Sequence, residues 1–172
     1  MENRGLQRPW VRILLTVLTA AVMVMIFFLS RETAEKSDAT SGTIAGRVIA
    51  VFYPDFEDYP PERQAAVYNS VQRVVRKTAH YTEYAVLGFL MRLCLESWLG
   101  RRRRLTPAAW AAGTAYAGTD ELHQLLIDGR SGQWTDVLLD SAGAMTGVLL
   151  AALALYLIRK RSLRKGTEQT CP

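Results

Sequence analysis

The sequence predicts an all-α protein: a four-helix transmembrane bundle with an extracytoplasmic loop and amphipathic helices between helices one and two. Three observations predict it. The 49% hydrophobic content and mean hydropathy of +0.03 suit a soluble chain on average, but the apolar residues are gathered into runs near the length a bilayer demands, roughly 18 residues or more. Basic residues fall in three clusters at the ends of those runs. Small residues recur at spacing four inside two of the runs, the pattern by which membrane helices approach closely.

Helix one is the run "ILLTVLTAAVMVMIFFL", residues 13–29, extended by Trp10 and Val11. Its charged start (Arg4, Arg8, Arg12) suits a signal peptide, but the apolar stretch exceeds the roughly 7–15 residues of a signal core. "FFLSRETAEK" offers no small-x-small cleavage site, so a retained anchor is expected. The segment 31–78 follows. Its start, "SRETAEKSDATSG", is polar and reads as loop. Ile44, Val48, Val51 and Phe52 then recur at helical spacing, as in a helix lying on a membrane surface. "YPDFEDYPPE" ends that helix, since Pro60 and Pro61 cannot continue one. From Glu62 onward, Val67, Val71, Val74 and Thr78 mark an amphipathic helix running into helix two, residues 79–99. Helices three (105–127) and four (137–158) complete a core over residues 79–158, and 159–172 form a tail.

Charge sets the orientation. Arg4, Arg8 and Arg12 precede helix one, Arg101 to Arg104 join helices two and three, and Arg159, Lys160, Arg161, Arg164 and Lys165 follow helix four. All three clusters lie on one side of a four-span chain, and short basic loops stay cytoplasmic. The expectation is a multi-pass plasma-membrane protein with both termini inside. The net charge of +5 is thereby read as membrane anchoring, with the bilayer as partner and no nucleic acid. Cys94 and Cys171 then face a reducing compartment, where a structural disulfide is not expected.

Against this background, the ionisable groups near the outer ends of helices two to four call for a reason, because charge in hydrocarbon is expensive. On helix two, Lys77, His80 and Tyr84 share a face with Leu87 and Met91, and Glu83 lies at its margin. On helix three, Gly113, Tyr116, Ala117, Asp120, His123 and Gln124 share a face, with Glu121 about 100° away. Asp136 and Asp140 continue the stripe Gly143, Gly147, Ala151 on helix four. Arg130 lies in the short loop between helices three and four. The small-residue stripes turn these faces inward at one level. Two readings compete: charge pairs that lock the helices, with Lys77, Arg76 and Arg130 neutralising the aspartates, or a binding or catalytic pocket. Elsewhere packing suffices: Arg92 and Glu96 read as an i,i+4 pair with Arg92 reaching toward the interface, and Trp10, Trp98, Trp134 and Trp110 as an interfacial belt.

The i,i+3 pairs His80/Glu83 and Asp120/His123 could ligate a divalent ion on facing helices. With no third histidine, neither metal nor other cofactor is expected. "GRSGQWTDVLLD" resembles the third motif of lipid phosphate phosphatases, but Asp136 stands where that motif has its histidine, which removes the nucleophile. Histidine-activated attack on a phosphate held by Lys77 and Arg130 remains an enzymatic alternative.

"RKTAHYTEYAVLGFL" followed by "AYAGTDELHQLLIDGRSGQWTDVLLDSAGAMTG" resembles the VanZ-like family of bacterial membrane proteins, over roughly residues 73–150. The resemblance implies a four-helix integral membrane protein of the cell envelope, in a family with members linked to resistance to teicoplanin and other envelope-active agents. Matched positions carry over Lys77, His80, Glu83, Tyr84, Asp120, Glu121, Gln124, Arg130, Asp136 and Asp140, with His123 beside them. The expected ligand is a lipid-linked cell-wall precursor headgroup or a glycopeptide antibiotic. A membrane-embedded hydrolase or transferase acting on a lipid-linked substrate stands as the alternative.

Overall fold

In the computed structural model, residues 6–31, 34–126 and 134–168 are described, excluding the side chains of 34–38 and 164–168. They form five α-helices and no strand: α1 (Pro9–Ser30), α2 (Ala34–Phe52), α3 (Pro61–Leu99), α4 (Leu105–Gln124) and α5 (Trp134–Glu168), with a single 3₁₀ turn at Phe56–Asp58. The all-helical class expected from the sequence is therefore found. Two stretches, Pro9–Ser30 and Trp134–Leu163, are long and apolar enough to cross a bilayer. The membrane-length portion of α3 carries Glu83, Arg92 and Glu96, and α4 combines Asp120 and Glu121 with many weakly apolar alanine, glycine and threonine residues, so neither is apolar enough to qualify.

Pro60 and Pro61 divide α2 from α3 as expected, with Pro61 occupying the first turn, where a missing N–H is harmless. The amphipathic stretch runs without interruption into helix two, giving one helix of 39 residues. Gly100, at φ 68°, ends it. The polar stretch after α1 corrects the expected loop, since α2 begins at Ala34. Alanine, glutamate and lysine are strong helix formers, and "AEKSDAT" is rich in them. The buried side of α2 is the Ser41, Ala45, Ile49 line against α3, while Ile44, Val51 and Phe52 remain exposed.

α3 and α5 form the principal pair, and α4 and α1 pack around it. Glycine makes the pairing possible. A Cβ at Gly88 would strike the backbone of Ala144, and one at Gly147 the carbonyl of Ala85; Gly143 meets Tyr81 in the same way. The expected small-residue stripe on α5 is thus the seam of this contact, and Gly88 is its counterpart on α3. On α4, Gly113 would place a Cβ 3.0 Å from Ala144 Cβ, and Ala109 and Ala117 are buried. Tyr84, Leu87, Ala117, Ala144 and Ile26 make the apolar cluster at the centre.

Hydrogen bonds also tie the helices together. Tyr81 Oη and Thr146 Oγ1 lie 2.6 Å apart across the α3–α5 seam. Trp110 Nε1 donates to Ser141 Oγ (3.1 Å), which also pairs with Thr114 Oγ1 at 2.7 Å, so Trp110 is fixed to α5. Trp98 remains half exposed yet donates to Thr16 Oγ1 of α1 at 3.0 Å. Tyr116 Oη donates to Met23 O at 2.6 Å, the direct bond from α4 to α1. Tyr116→Phe should lower stability by about 1 kcal/mol and the thermal midpoint by about 2–4 °C, as measured on the purified protein.

Candidate functional site

Three helices bring acids to one end of the bundle. Asp120 on α4 and Asp140 on α5 are 5% and 3% exposed, and Glu121 on α4 is buried beside them. Glu83 on α3, Asp120, Glu121 and Asp136 all act electrostatically on Asp140. Tyr84 of α3, fully buried, lies within reach of both Asp120 and Asp140, and its ring sits 6.2 Å from that of Tyr116. The small-residue seams explain this convergence: helices that touch through glycine and alanine leave their next polar residues, one turn outward, facing one another.

Donors reach some of these acceptors. Gln124 Nε2 donates to Asp120 Oδ2 at 3.3 Å, and Lys77 Nζ binds Asp136 Oδ1 at 2.7 Å at the rim. Asp120 Oδ1 and Asp140 Oδ1 are buried and have no hydrogen-bond partner among the described residues. The Tyr84 hydroxyl is likewise buried without a hydrogen bond of full geometry, although it lies close enough to Asp120 to interact with its carboxylate. Buried polar atoms are ordinarily satisfied, and leaving one bare costs about 1–3 kcal/mol. Here three lie together.

The sequence-predicted residues distribute as follows. Glu83, Tyr84, Asp120, Gln124 and Asp140 form the centre, and Lys77 with Asp136 forms the rim. His80 is half-buried on α3. Glu121, placed 100° off the shared face by helix geometry, is nonetheless buried and acts on Asp140. His123 turns toward α1, its ring 4.8 Å from that of Phe27. Arg130 lies outside the described residues, as does Cys171; Cys94 is a free thiol. Among the described residues no group of three or more His, Cys, Asp or Glu side chains is placed to hold a metal. The i,i+3 pairs therefore do not combine into a ligand set there.

Sequence reasoning missed a second ionic centre, at the opposite end. Arg92 does not reach outward: its side chain is buried, 2.8 Å from Glu96. Arg159 of α5 donates to the other oxygen of the same carboxylate, and Arg92 Nε donates to Thr106 Oγ1 of α4 at 3.3 Å. The i,i+4 spacing of Arg92 and Glu96 gave half of it; nothing in the sequence marked Arg159 as other than an anchoring charge.

Fold and site together define a small all-helical protein with two apolar helices of membrane length and a buried acidic site shared by three helices. The model of the VanZ/LLP1 family matches residues 15–156, most of the chain, and the protein belongs to that family. No curated protein and no solved structure matches it.

Proposed function

We propose that the protein is a multi-pass membrane protein of the bacterial cell envelope that binds a headgroup or envelope-active compound in its acidic site. All four long segments, α1, the second half of α3, α4 and α5, would cross the bilayer, with both termini cytoplasmic and the acidic site at the outer surface. The regions 1–30, 31–78, 79–158 and 159–172 then serve as anchor, outer segment, membrane core and inner tail. One observation carries the binding reading: the unsatisfied oxygens of Asp120, Asp140 and Tyr84, buried together among further carboxyl groups. Such a set accepts hydrogen bonds and positive charge. It suits a ligand presenting an amine or several hydroxyls, features shared by amino-sugar-bearing lipid precursors and by teicoplanin-type glycopeptides. Resistance to such compounds would follow if occupancy alters their access to the target.

The charge distribution supports the topology. Reporter fusions after Gly100 and after Pro172 should read cytoplasmic, and one within residues 33–43 external. An external C-terminus overturns the four-span arrangement.

A second reading rests on the opposed carboxyl groups of Asp120 and Asp140 beside the Tyr84 hydroxyl, a set able to move protons in hydrolysis or transfer on a lipid-linked substrate. Envelope lipids from cells with and without the protein separate the two. A changed lipid species marks an enzyme; changed drug susceptibility with unchanged lipids marks a binder.

A further inference from the structure

We propose that the other end of the bundle holds a phosphate-type anion between Arg92 and Arg159. The charges there do not balance. Glu96, 2% exposed, is the single carboxylate paired with both guanidiniums, and neither arginine has a second acidic partner among the described residues. The two guanidiniums lie within electrostatic reach of each other, so each raises the cost of the other's burial.

Donors are also left over. Arg92, 5% exposed, has Nη1 within ion-pair distance of Glu96 Oε2 but out of line for a hydrogen bond, and Arg159 Nε is buried without a partner. Removal of an ion partner from a buried site is strongly destabilising. A net cation with spare N–H groups in a buried site therefore calls for an anion. Guanidinium forks match the oxygens of a phosphate two at a time, and a tetrahedral anion can accept from both arginines while Glu96 keeps them apart. Lys160 and Arg161 on α5 and the exposed Arg101 to Arg104 surround this end with positive potential, which raises the local concentration of anions. The anion is a phosphate ester of a lipid headgroup or a free phosphate; both present the same oxygens. The inference stands independently of the acidic site.

The test is thermal unfolding of the solubilised full-length protein. Phosphatidylglycerol in mixed micelles, against phosphatidylcholine, should raise the midpoint by about 3–6 °C at tenfold excess over Kd if the source is lipid. Inorganic phosphate, against chloride at equal ionic strength, should do so without lipid if the source is free anion. Arg159→Gln should abolish whichever shift is seen. Replacing Arg101 to Arg104 together by glutamine should preserve it, which separates the buried pair from the basic loop. If Arg159→Gln does not accumulate, Arg159→Lys takes its place and should lose more than half the shift, since an ammonium keeps the charge but not the fork. No shift with either probe overturns the proposal, as does a full shift in the Arg159 variant or its loss in the loop variant.

Discussion

Gly147→Leu should prevent the protein from accumulating, and Gly147→Ala should already lower its thermal midpoint. The smallest possible side chain at this position collides with the carbonyl of Ala85 and the backbone of α3. Neither is a flexible tip that can step aside, so α3 and α5 must separate. They form the principal pair of the fold, and separation also opens Gly88 against Ala144 and Tyr81 against Thr146. Overpacking a well-packed contact costs about 1–3 kcal/mol and occasionally more; a backbone collision in the central seam lies at the top of that range. Gly118→Ala is the internal control. No atom lies within 4 Å of its added Cβ, so the same change should stabilise α4, by up to about 1 kcal/mol of helix propensity. Midpoints that move in the same direction for Gly118→Ala and Gly147→Ala would remove the seam from the account.

Asp140→Asn should leave the thermal midpoint at or above that of the native protein while abolishing ligand-dependent function. A residue in a helix-locking ion pair behaves oppositely, because its loss strands a buried counter-charge at about 3–5 kcal/mol. Asp140 has no such partner among the described residues: Asp120, Asp136, Glu121 and Glu83 act on it, and all are acids. Asparagine keeps its shape and removes the buried carboxyl group on which those four acids bear. Stability rising as function falls is the signature of a site held against folding preference. His80→Ala provides the complementary test: loss of the phenotype at normal abundance assigns the half-buried imidazole to the site. A fall in midpoint for Asp140→Asn, with a parallel fall in abundance, returns the acids to the role of a structural lock.

Much of the fold was legible because hydropathy and chain-breaking residues are local. The apolar runs mark α1 and α5, Pro60 and Pro61 mark the division of α2 from α3, and spacing-four stripes mark the faces that meet. The start of α2 was not, since its polar residues suit a loop and a helix alike. At the site, helix periodicity placed Tyr84, Asp120, Gln124 and Asp140 on facing sides, and the fold brings them to one end of the bundle. It failed for Glu121 and His123, where tertiary packing at the helix end decides: Glu121 is buried and acts on Asp140, and Phe27 of α1 takes the His123 ring. The buried Arg92–Glu96–Arg159 centre was hidden because positive charges beside an apolar run carry the same sequence pattern whether they anchor or pair.

The unbroken length of α3 has a mechanical consequence. Its 39 residues make a rod of about 58 Å at 1.5 Å per residue, roughly twice the 30 Å of a hydrocarbon core. In the four-span arrangement its first half therefore projects beyond the bilayer, carrying α2 through Gln72 and Ser41, while Glu83 and Tyr84 lie near its middle. Such a rod is a lever with the acidic site at its fulcrum. A load applied to the projecting arm would be transmitted to Tyr84 without any hinge to absorb it.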